Sequence, residues 1–339
     1  MGFFSLTQEI AIDLGTANTI IISDDKVVVD EPSYVALDRR TEKLIAIGKK
    51  AQMMWGKEPE QIRTLRPLRD GVIADFYAAE QMIRGMIEKI PTKNHLFKPS
   101  LKMVVCIPSG STEVEIRAVR DSSEHAGGRD VYMIFEPMAA ALGIGLDVEA
   151  PEGIMIVDIG GGTTEIAVIS LGGIVANKSI KIAGDDFTDD IVQYMSRQHN
   201  MRIGEATAER IKVEVGSALT DLEDAPEDYI VYGANKMTAL PMEVPVSYQE
   251  VAHALEKSIA KIEVAVLSAL EQTPPELYAD LAKKGIYLTG GGALLRGLAK
   301  RLTDKIQIPF IVAEDPLHAV ARGTGIALKN VDNFQFLLR

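Results

Sequence analysis

Two short turns in the sequence combine an aspartate with small residues, and each could bind a phosphate group. They read DLGTAN at residues 13–18 and DIGGGT at residues 158–163. Small residues let backbone N–H groups approach an anion closely. An aspartate beside a phosphate is repulsive unless a cation lies between them, and Mg²⁺ binds carboxylate and phosphate oxygens. We therefore predict a phosphate site in which Asp13 and Asp158 bind Mg²⁺, directly or through water.

Two further segments suit the rest of a nucleotide. A glycine-rich turn, YLTGGGALLRGL at residues 287–298, follows an apolar run. We expect it to open a helix whose N-terminal amides face phosphate or adenosine, although a plain tight turn is the alternative. Glu209 and Lys212 are three residues apart in ATAERIKVEV, which places them on one helical face where they could grip a ribose. Without other evidence they would be a surface ion pair.

Composition and missing motifs exclude several functional classes. The sequence has no Walker A motif and no complete GxGxxG motif, which argues against P-loop and dinucleotide-binding proteins. A net charge of -12 disfavours nucleic acid as a partner, because that affinity depends on Lys and Arg neutralising phosphates. Cys106 is the only cysteine and lies in the apolar run MVVCIP. We expect it to be buried, with no internal disulfide and a reducing compartment.

The segments around the two aspartate turns have the same order of elements. Residues 9–30 and 153–176 each read as an apolar strand, an Asp/Gly turn and two more apolar strands. The copies lie 145 residues apart, which is about one domain and favours an internal duplication. We therefore predict an α/β protein with two related lobes. Their sheets should be mixed and flanked by helices, because the hairpin starts exclude a purely parallel sheet.

Helices are predicted in the intervals between these strands. Residues 76–90 place apolar side chains at helical spacing behind an N-cap at Asp75, and that face should be core. Capping-box spacings or a first-turn proline predict three further helix starts, at Thr112, Ser247 and Pro137.

Five segments, taken in order, resemble the phosphate, connecting and adenosine motifs of the actin, heat-shock chaperone and sugar kinase superfamily. They are residues 13–18, 134–142, 158–163, 209–212 and 289–293. Within that superfamily, blocks spanning nearly the whole chain resemble the MreB family of bacterial actin-like cell-shape proteins. The blocks are IAIDLGTANT, RPLRDGVIADF, EPMAAALGIGL, VDIGGGTTEIAVISL, IGEATAERIK, TPPEL, LTGGGALLRGL and AEDPL. The resemblance implies an actin-like ATPase fold of two duplicated lobes, with ATP and Mg²⁺ as cofactors.

Each lobe of such a fold carries a smaller outer subdomain. We expect lobe I to comprise residues 1–147 and 323–339, with residues 33–66 as its outer subdomain. Lobe II would then comprise residues 148–322, with residues 184–246 as its outer subdomain. These lobes leave no room for the substrate-binding domain of a chaperone.

The resemblance also assigns roles to individual residues. It places Thr16, Ala17 and Asn18 on the phosphates, together with Gly161, Gly162 and Thr163 from the other lobe. The nucleoside would be held by Glu209, Arg210, Ile211 and Lys212, over a floor of Gly290, Gly291, Gly292 and Ala293. Glu136 matches the position that orients or activates the attacking water, assisted by Thr163. The alternative for Glu136 is helix capping before Pro137.

A lysine-flanked apolar pair indicates a membrane contact. In KNHLFKPSLK, residues 93–102, Leu96 and Phe97 lie between lysines, which suits insertion into anionic lipid. The resembled family has a membrane-binding loop at this position, whereas an ordinary packed loop is the alternative. Phe3 and Phe4 could add a second apolar contact.

The function implied by the resemblance is that of an ATP-binding and hydrolysing bacterial actin homologue. It would polymerise into membrane-associated filaments and organise cell-wall elongation to maintain cell shape. Its partners would be itself in paired antiparallel protofilaments, inner-membrane lipid and membrane proteins of the wall-elongation machinery, and not nucleic acid.

Localisation follows from the same expectations. The sequence has no apolar stretch of about 20 residues and no signal peptide. The protein is therefore expected in the cytoplasm, peripheral on the inner face of the cytoplasmic membrane. Two alternatives stay open: a soluble small-molecule kinase of the same superfamily, with a substrate hydroxyl in place of water, and a filament without turnover.

Overall fold

Strands and short helices alternate through both halves of the chain in a computed structural model that describes residues 7–91 and 100–339. The first half contains β1 (Thr7–Leu14), β2 (Asn18–Ser23), β3 (Lys26–Pro32), β4 (Val35–Asp38), β5 (Leu44–Ile47), α1 (Lys49–Met54), β6 (Ile62–Leu65), β7 (Leu68–Arg69), β8 (Val72–Ile73), α2 (Phe76–Ile87), β9 (Ser100–Ile107), α3 (Glu113–His125) and β10 (Gly128–Phe135). The second half contains α4 (Glu136–Gly143), β11 (Ile154–Ile159), β12 (Thr164–Ser170), β13 (Gly173–Ile180), α5 (Gly184–Gln198), β14 (Met201–Arg202), α6 (Glu205–Val215), β15 (Tyr229–Asn235), β16 (Pro241–Val246), α7 (Tyr248–Glu271), α8 (Pro275–Lys284), β17 (Ile286–Thr289), α9 (Leu298–Ile306), β18 (Phe310–Val312) and α10 (Ala319–Lys329).

The two large sheets have the same topology. Their strand orders are β3-β2-β1-β9-β10 and β13-β12-β11-β17-β18. In each sheet the first three strands pair antiparallel, and the remaining two run parallel to the central strand. The predicted duplication into two lobes with mixed sheets is therefore confirmed. We call the half built on the first sheet lobe I and the half built on the second sheet lobe II.

Helices cover both faces of each sheet, which explains why β11 and β12 are buried along their whole length. In lobe I, α2 and α3 lie over one face, and α10 packs against β1, β2 and β9 on the other. In lobe II, α5 and α7 lie on the outer side, and α4 packs against β11 and β12. The helices α4 and α10 also pack against each other. They therefore form a shared apolar layer between the lobes, which joins residues of both sheets in one core.

Helix α2 begins where the sequence predicts. Its N-cap Asp75 accepts a hydrogen bond from the backbone N–H of Ala78 at 3.0 Å, and the helix ends at Ile87. Phe76 was expected in the core, but this is wrong, because its side chain is 38 % exposed. As the first helical residue it lies at the open end, where its ring contacts His125 edge-on.

The other predicted helix starts are also confirmed. Thr112 forms a reciprocal capping box with Glu115, and Ser247 forms one with Glu250. Pro137 lies in the first turn of α4, where its missing N–H has no intrahelical acceptor to lose.

Two small sheets accompany the large ones. The sheet β5-β4-β6 spans residues 35–65, and β14-β15-β16 spans residues 201–246. Both fall inside the ranges predicted for the outer subdomains, 33–66 and 184–246. The boundaries of the subdomains and lobes stay predictions.

The two helices between the lobes cross at a pair of glycines. A Cβ atom on Gly323 would overlap the carbonyl oxygen of Ala139, and one on Gly143 would overlap that of Ala319. The backbones of α4 and α10 therefore meet directly. By contrast, a Cβ on Gly325 of the same helix would make ordinary contact, 3.5 Å from Ile22.

Replacing the crossing glycine tests this packing. We expect Gly323→Ala to lower the free energy of unfolding by about 3 kcal/mol, because the methyl group must push two helix backbones apart. Gly325→Ala is the matched control and should change stability by about 1 kcal/mol or less, in the stabilising direction, through helix propensity. Urea unfolding of both variants measures the difference. Equal stability of the two variants would show that the crossing is not tight.

Candidate functional site

The two predicted metal ligands occupy equivalent places in the two lobes. Asp13 lies at the carboxyl end of β1 and Asp158 at the carboxyl end of β11, the central strand of each sheet. The Asp158 side chain is buried, whereas Asp13 keeps partial exposure. The charge of Asp13 raises the pKa of Asp158, which places the two carboxyl groups within electrostatic range.

One hydrogen-bond donor holds each of these carboxyl groups. The Cys106 thiol donates to Asp13 Oδ1 at 3.0 Å, and the Thr289 hydroxyl donates to Asp158 Oδ1 at 2.7 Å. Burial raises the pKa of Asp13 to about 6 and the pKa of Asp158 to about 7, against the smaller opposing effect of these bonds. A nearby cation would favour the ionised forms of both groups.

The donor set fits Mg²⁺ better than a metal held by protein alone. Within residues 7–91 and 100–339, no cluster of three or more His, Cys, Asp or Glu side chains forms a metal site. Mg²⁺ does not require one, because it keeps several waters and is commonly bound by one or two carboxylates plus substrate phosphates. Asp13 and Asp158 could supply those two carboxylates.

The two aspartate turns, residues 13–18 and 158–163, come from different lobes and touch each other. A Cβ on Gly161 would lie 2.7 Å from Ala17 Cβ, and one on Gly162 would lie 2.9 Å from Thr16 Oγ1. Only glycine allows this approach without a shift of the facing turn. The structure thus brings the predicted phosphate residues of both lobes together, while Asn18 is exposed at the first position of β2.

A hairpin that sequence reasoning missed closes over these turns. It is formed by β7 and β8, with Gly71 at its tip in a left-handed conformation, φ 75°. The Gly71 N–H donates to Thr16 Oγ1 at 3.0 Å, and a Cβ there would lie 2.8 Å from Thr163 Cγ2. Thr163 is buried beneath it. The available signal was the Asp-Gly pair in RPLRDGVIADF, a typical turn sequence.

Glu209 and Lys212 lie on one face of α6, as their spacing predicts, whereas their role with a nucleoside stays a prediction. Lys212 Nζ lies 2.7 Å from Glu209 Oε2 and donates to the Gly184 carbonyl oxygen at 2.8 Å, next to the start of α5. Arg210 is exposed beside them. The Ile211 side chain is fully buried in the core of lobe II, so only its backbone is available to a ligand.

The third glycine-rich turn lies against the end of β11. Gly290 has φ 78°, and Cβ atoms on Gly290 or Gly292 would overlap Ile159. The turn opens a short 3₁₀-helix, Gly291–Leu294, and the α-helix α9 begins only at Leu298.

Glu136 is the first residue of α4 and follows β10 directly. It makes no capping hydrogen bond, so the capping interpretation is wrong. Burial raises the pKa of Glu136 well above its ordinary value, and the charges of Glu165, Asp158 and Asp13 raise it further. Within the described residues its carboxyl group has no hydrogen-bond partner. Such a group is free to accept a bond from a water molecule in the cleft.

Glu165 is another glutamate near the cleft, which sequence reasoning did not identify. Its side chain is completely buried on β12. It accepts hydrogen bonds from the Ser109 N–H at 3.0 Å, the Ser109 hydroxyl at 2.5 Å and the Ser179 hydroxyl at 2.6 Å. Burial raises the pKa of Glu165, and these three donors partly oppose the rise. The available signal was a charged residue directly before the apolar run IAVI, residues 166–169.

An ion pair bridges the lobes beside the phosphate turns. Arg66 Nη2 lies 2.7 Å from Asp185 Oδ2 and also donates to the carbonyl oxygen of Thr16 at 3.1 Å. The Arg66 guanidinium lies over the ring of Tyr34. Arg66 was noticed only as part of a family block, since an isolated arginine carries no sequence signal for a partner 119 residues away.

The four predicted membrane residues, Phe3, Phe4, Leu96 and Phe97, lie outside the described residues. Among the helices that are described, none is long and apolar enough to span a membrane.

Together, the duplicated sheets, the aspartate turns and the glycine-rich floor define an actin-like fold. The chain superposes on MreB5 of Spiroplasma citri, solved bound to AMPPNP, with a TM-score of 0.90 and 38% identity, covering 96% of this chain and 97% of that one. The family model described as MreB/Mbl protein matches residues 7–336.

Curated relatives agree over nearly the full length. Identity is 46% over 336 residues with the cell shape-determining protein MreB of Escherichia coli (strain K12), covering 98% of this chain and 95% of the relative. It is 44% over 326 residues with the cell shape-determining protein Mbl of Bacillus subtilis (strain 168), covering 96% and 97%. The chain belongs to the MreB/Mbl family.

Neutralising Asp158 should change how stability depends on pH. Because the folded-state pKa of about 7 exceeds the ordinary 3.8, the folded protein holds an extra proton between these values and loses stability as pH rises through that window. Without metal or nucleotide, the free energy of unfolding of Asp158→Asn should therefore rise relative to that of the parent by about 2 kcal/mol when the pH is raised from near 5 to near 8.

Urea unfolding in a chelator at the two pH values measures this gain. Asp304→Asn, which removes one charge from an exposed position of α9, is the control for net charge. If Asp158→Asn instead lost stability relative to the parent on going to the higher pH, the Asp158 carboxylate would be stabilised by folding and the predicted direction would be wrong.

Proposed function

We propose that this protein binds ATP with Mg²⁺ in the cleft between its lobes and hydrolyses it slowly. The observation that carries the proposal is the direct contact of two aspartate-bearing phosphate turns, one from each lobe, at the carboxyl ends of the central strands. Ligands in α/β proteins bind at such strand ends. The similar MreB5 structures bound to AMPPNP and to ADP support a nucleotide as the ligand.

The proposed ligand contacts follow from the geometry of the cleft. Backbone N–H groups of residues 16–18 and 161–163 would bind the phosphates, and the exposed face of α6 with the turn at residues 290–293 would hold the nucleoside. Asp13 and Asp158 would hold Mg²⁺, which neutralises phosphate charge when bound.

Glu136 is the proposed base for the attacking water. Its carboxylate would accept a water proton as the water oxygen bonds to the γ-phosphorus and the bond to the β–γ bridging oxygen breaks, giving ADP and phosphate. Phosphoryl transfer needs positioning and charge neutralisation more than covalent chemistry. The environment that raises the pKa of Glu136 increases its affinity for that proton. Thr163 lies in the phosphate turn and would help to orient the water.

The cellular role proposed here is that of an actin-like cell-shape protein. The relatives in E. coli and B. subtilis are named cell shape-determining proteins, and the match covers nearly all of each chain. We extend this to filaments of paired antiparallel protofilaments that organise cell-wall elongation with membrane proteins. Membership of the MreB/Mbl family removes the main support for the small-molecule kinase alternative.

Removing the carboxyl group of Glu136 should separate binding from hydrolysis. We expect Glu136→Gln to slow phosphate release by about 100-fold, because general base catalysis contributes about that much. Nucleotide affinity should stay within about threefold of the parent. Single-turnover phosphate release and titration with a fluorescent ATP analogue measure the two quantities. Glu271→Gln, on the exposed end of α7, is the matched control; unchanged hydrolysis in Glu136→Gln would remove Glu136 from the mechanism.

Membrane association is proposed through both apolar segments predicted from the sequence. The described residues that flank them are neighbours, because Thr7 pairs with Ser100 at the start of β1 and β9. Thr7 and Ser100, the first described residues after these segments, therefore lie at one edge of lobe I. Each contact would be weak alone, and a filament carrying many of them would bind more tightly through effective concentration.

Co-sedimentation with anionic liposomes tests this association. With Mg-ATP we expect the protein to pellet with vesicles of phosphatidylglycerol and phosphatidylethanolamine, and Leu96→Ser/Phe97→Ser to lose most of that pelleting. Val264→Ser/Leu267→Ser, a pair of exposed apolar residues on α7, is the matched control and should pellet like the parent. Equal pelleting of all three proteins would place the lipid contact elsewhere.

A further inference from the structure

Glu165 occupies a position where the fold itself requires no charge. Glu165 lies on β12, a strand whose residues are all buried, and it pairs in register with Asp158 on β11. The duplication provides an internal comparison, because Asp13 pairs with Ile20 at the equivalent position of lobe I. Lobe I thus fills this position with a hydrocarbon side chain. Burying a carboxylate there instead is costly unless hydrogen bonds compensate.

The compensating donors come from both lobes. Ser179 is on β13 of lobe II and donates to Glu165 Oε1. Ser109 follows β9 of lobe I and donates to Oε2 through both its N–H and its hydroxyl. Both carboxylate oxygens are therefore engaged by serines. Glu165 is a link between the lobes, with two of its three bonds reaching across.

The loop that Glu165 holds lies next to Glu136. The strands β9 and β10 are parallel neighbours, and Ile107 pairs with Phe135 at their ends. The residues that follow, Ser109 in one chain segment and Glu136 in the other, therefore leave the same edge of the sheet. The loop also sits tightly on lobe II, because a Cβ on Gly110 would lie 2.8 Å from Ser179 Cβ.

We propose that Glu165 is a positioning residue that couples closure of the two lobes to the placement of Glu136. When the lobes close, the loop after β9 docks on the Glu165 carboxylate. This contact fixes the position of the sheet edge at which Glu136 lies. When they open, the two Ser109 bonds are lost and that edge is released. The inference rests on the proposed hydrolysis, which Glu165 supports without touching the nucleotide.

Two serine variants provide the sharpest test, since each removes one hydroxyl donor to the Glu165 carboxylate and the two donors come from different lobes. Ser109→Ala removes the cross-lobe hydroxyl, and Ser179→Ala removes a hydroxyl from the same lobe. We expect Ser109→Ala to slow single-turnover phosphate release about tenfold and Ser179→Ala less than about threefold, both with near-parental nucleotide affinity. Glu165→Gln should slow release at least as much as Ser109→Ala. Adding Ser109→Ala to Glu165→Gln should cost little more, because both act through one contact.

Hydrogen exchange gives a readout independent of catalysis. In the parent, the backbone amides of residues 109–111 should become more protected on addition of Mg-ATP, and Glu165→Gln should lose that gain in protection. Equal slowing by the two serine variants, or parental hydrolysis in Ser109→Ala, would overturn the proposal. Failure of the parent to hydrolyse ATP would overturn the proposed hydrolysis alone, and exchange would then decide whether Glu165 links the lobes. If Glu165→Gln does not fold, the serine pair carries the test, with exchange followed in Ser109→Ala.

Discussion

The structure depends on how four buried or half-buried carboxyl groups are accommodated in one cleft, those of Asp13, Asp158, Glu136 and Glu165. Burial raises the pKa of each of them, and the charges of neighbouring carboxylates raise the pKa values of Asp158 and Glu136 further. Their surroundings nevertheless differ. Asp13 and Asp158 accept one hydrogen bond each. Glu165 accepts three, and Glu136 accepts none in the described part of the chain. A cleft of this kind favours a cation, which would reduce the repulsion among the carboxylates and between them and any phosphate nearby.

Duplication explains how one fold could assemble such a site from simple parts. Each lobe contributes an aspartate at the end of its central strand, so the proposed phosphate and metal contacts would follow from the symmetry of the two lobes. Specialisation then lies in the differences. Glu136 lies at the start of α4, directly after β10 of the first sheet, whereas lobe II contributes Glu165 where lobe I has Ile20. The asymmetric pair of glutamates distinguishes the two halves of a site that is otherwise nearly symmetric.

Sequence reasoning predicted the features that depend on local chemistry. The strands, the capping boxes at Thr112 and Ser247 and the glycine turns were accessible because spacing and residue type determine them over a few residues. Features that depend on contact between distant segments were not. Nothing near Arg66 indicates Asp185 as its partner, and nothing near Ser109 indicates Glu165. The burial of Ile211 was missed for a similar reason, since it depends on which side of α6 faces the core.

Contacts between the lobes fall into two kinds, and their contrast indicates how a nucleotide could control the molecule. Where α4 crosses α10, the glycine backbones meet without intervening side chains, which suits a pivot. Around the cleft the contacts are polar or pass between small turns, and such contacts can form and break at modest cost. A ligand shifts a conformational equilibrium only by its difference in affinity for the two states. If phosphates bind both aspartate turns as proposed, they would supply that difference in the closed arrangement, and loss of the terminal phosphate would weaken closure even with the nucleoside still bound.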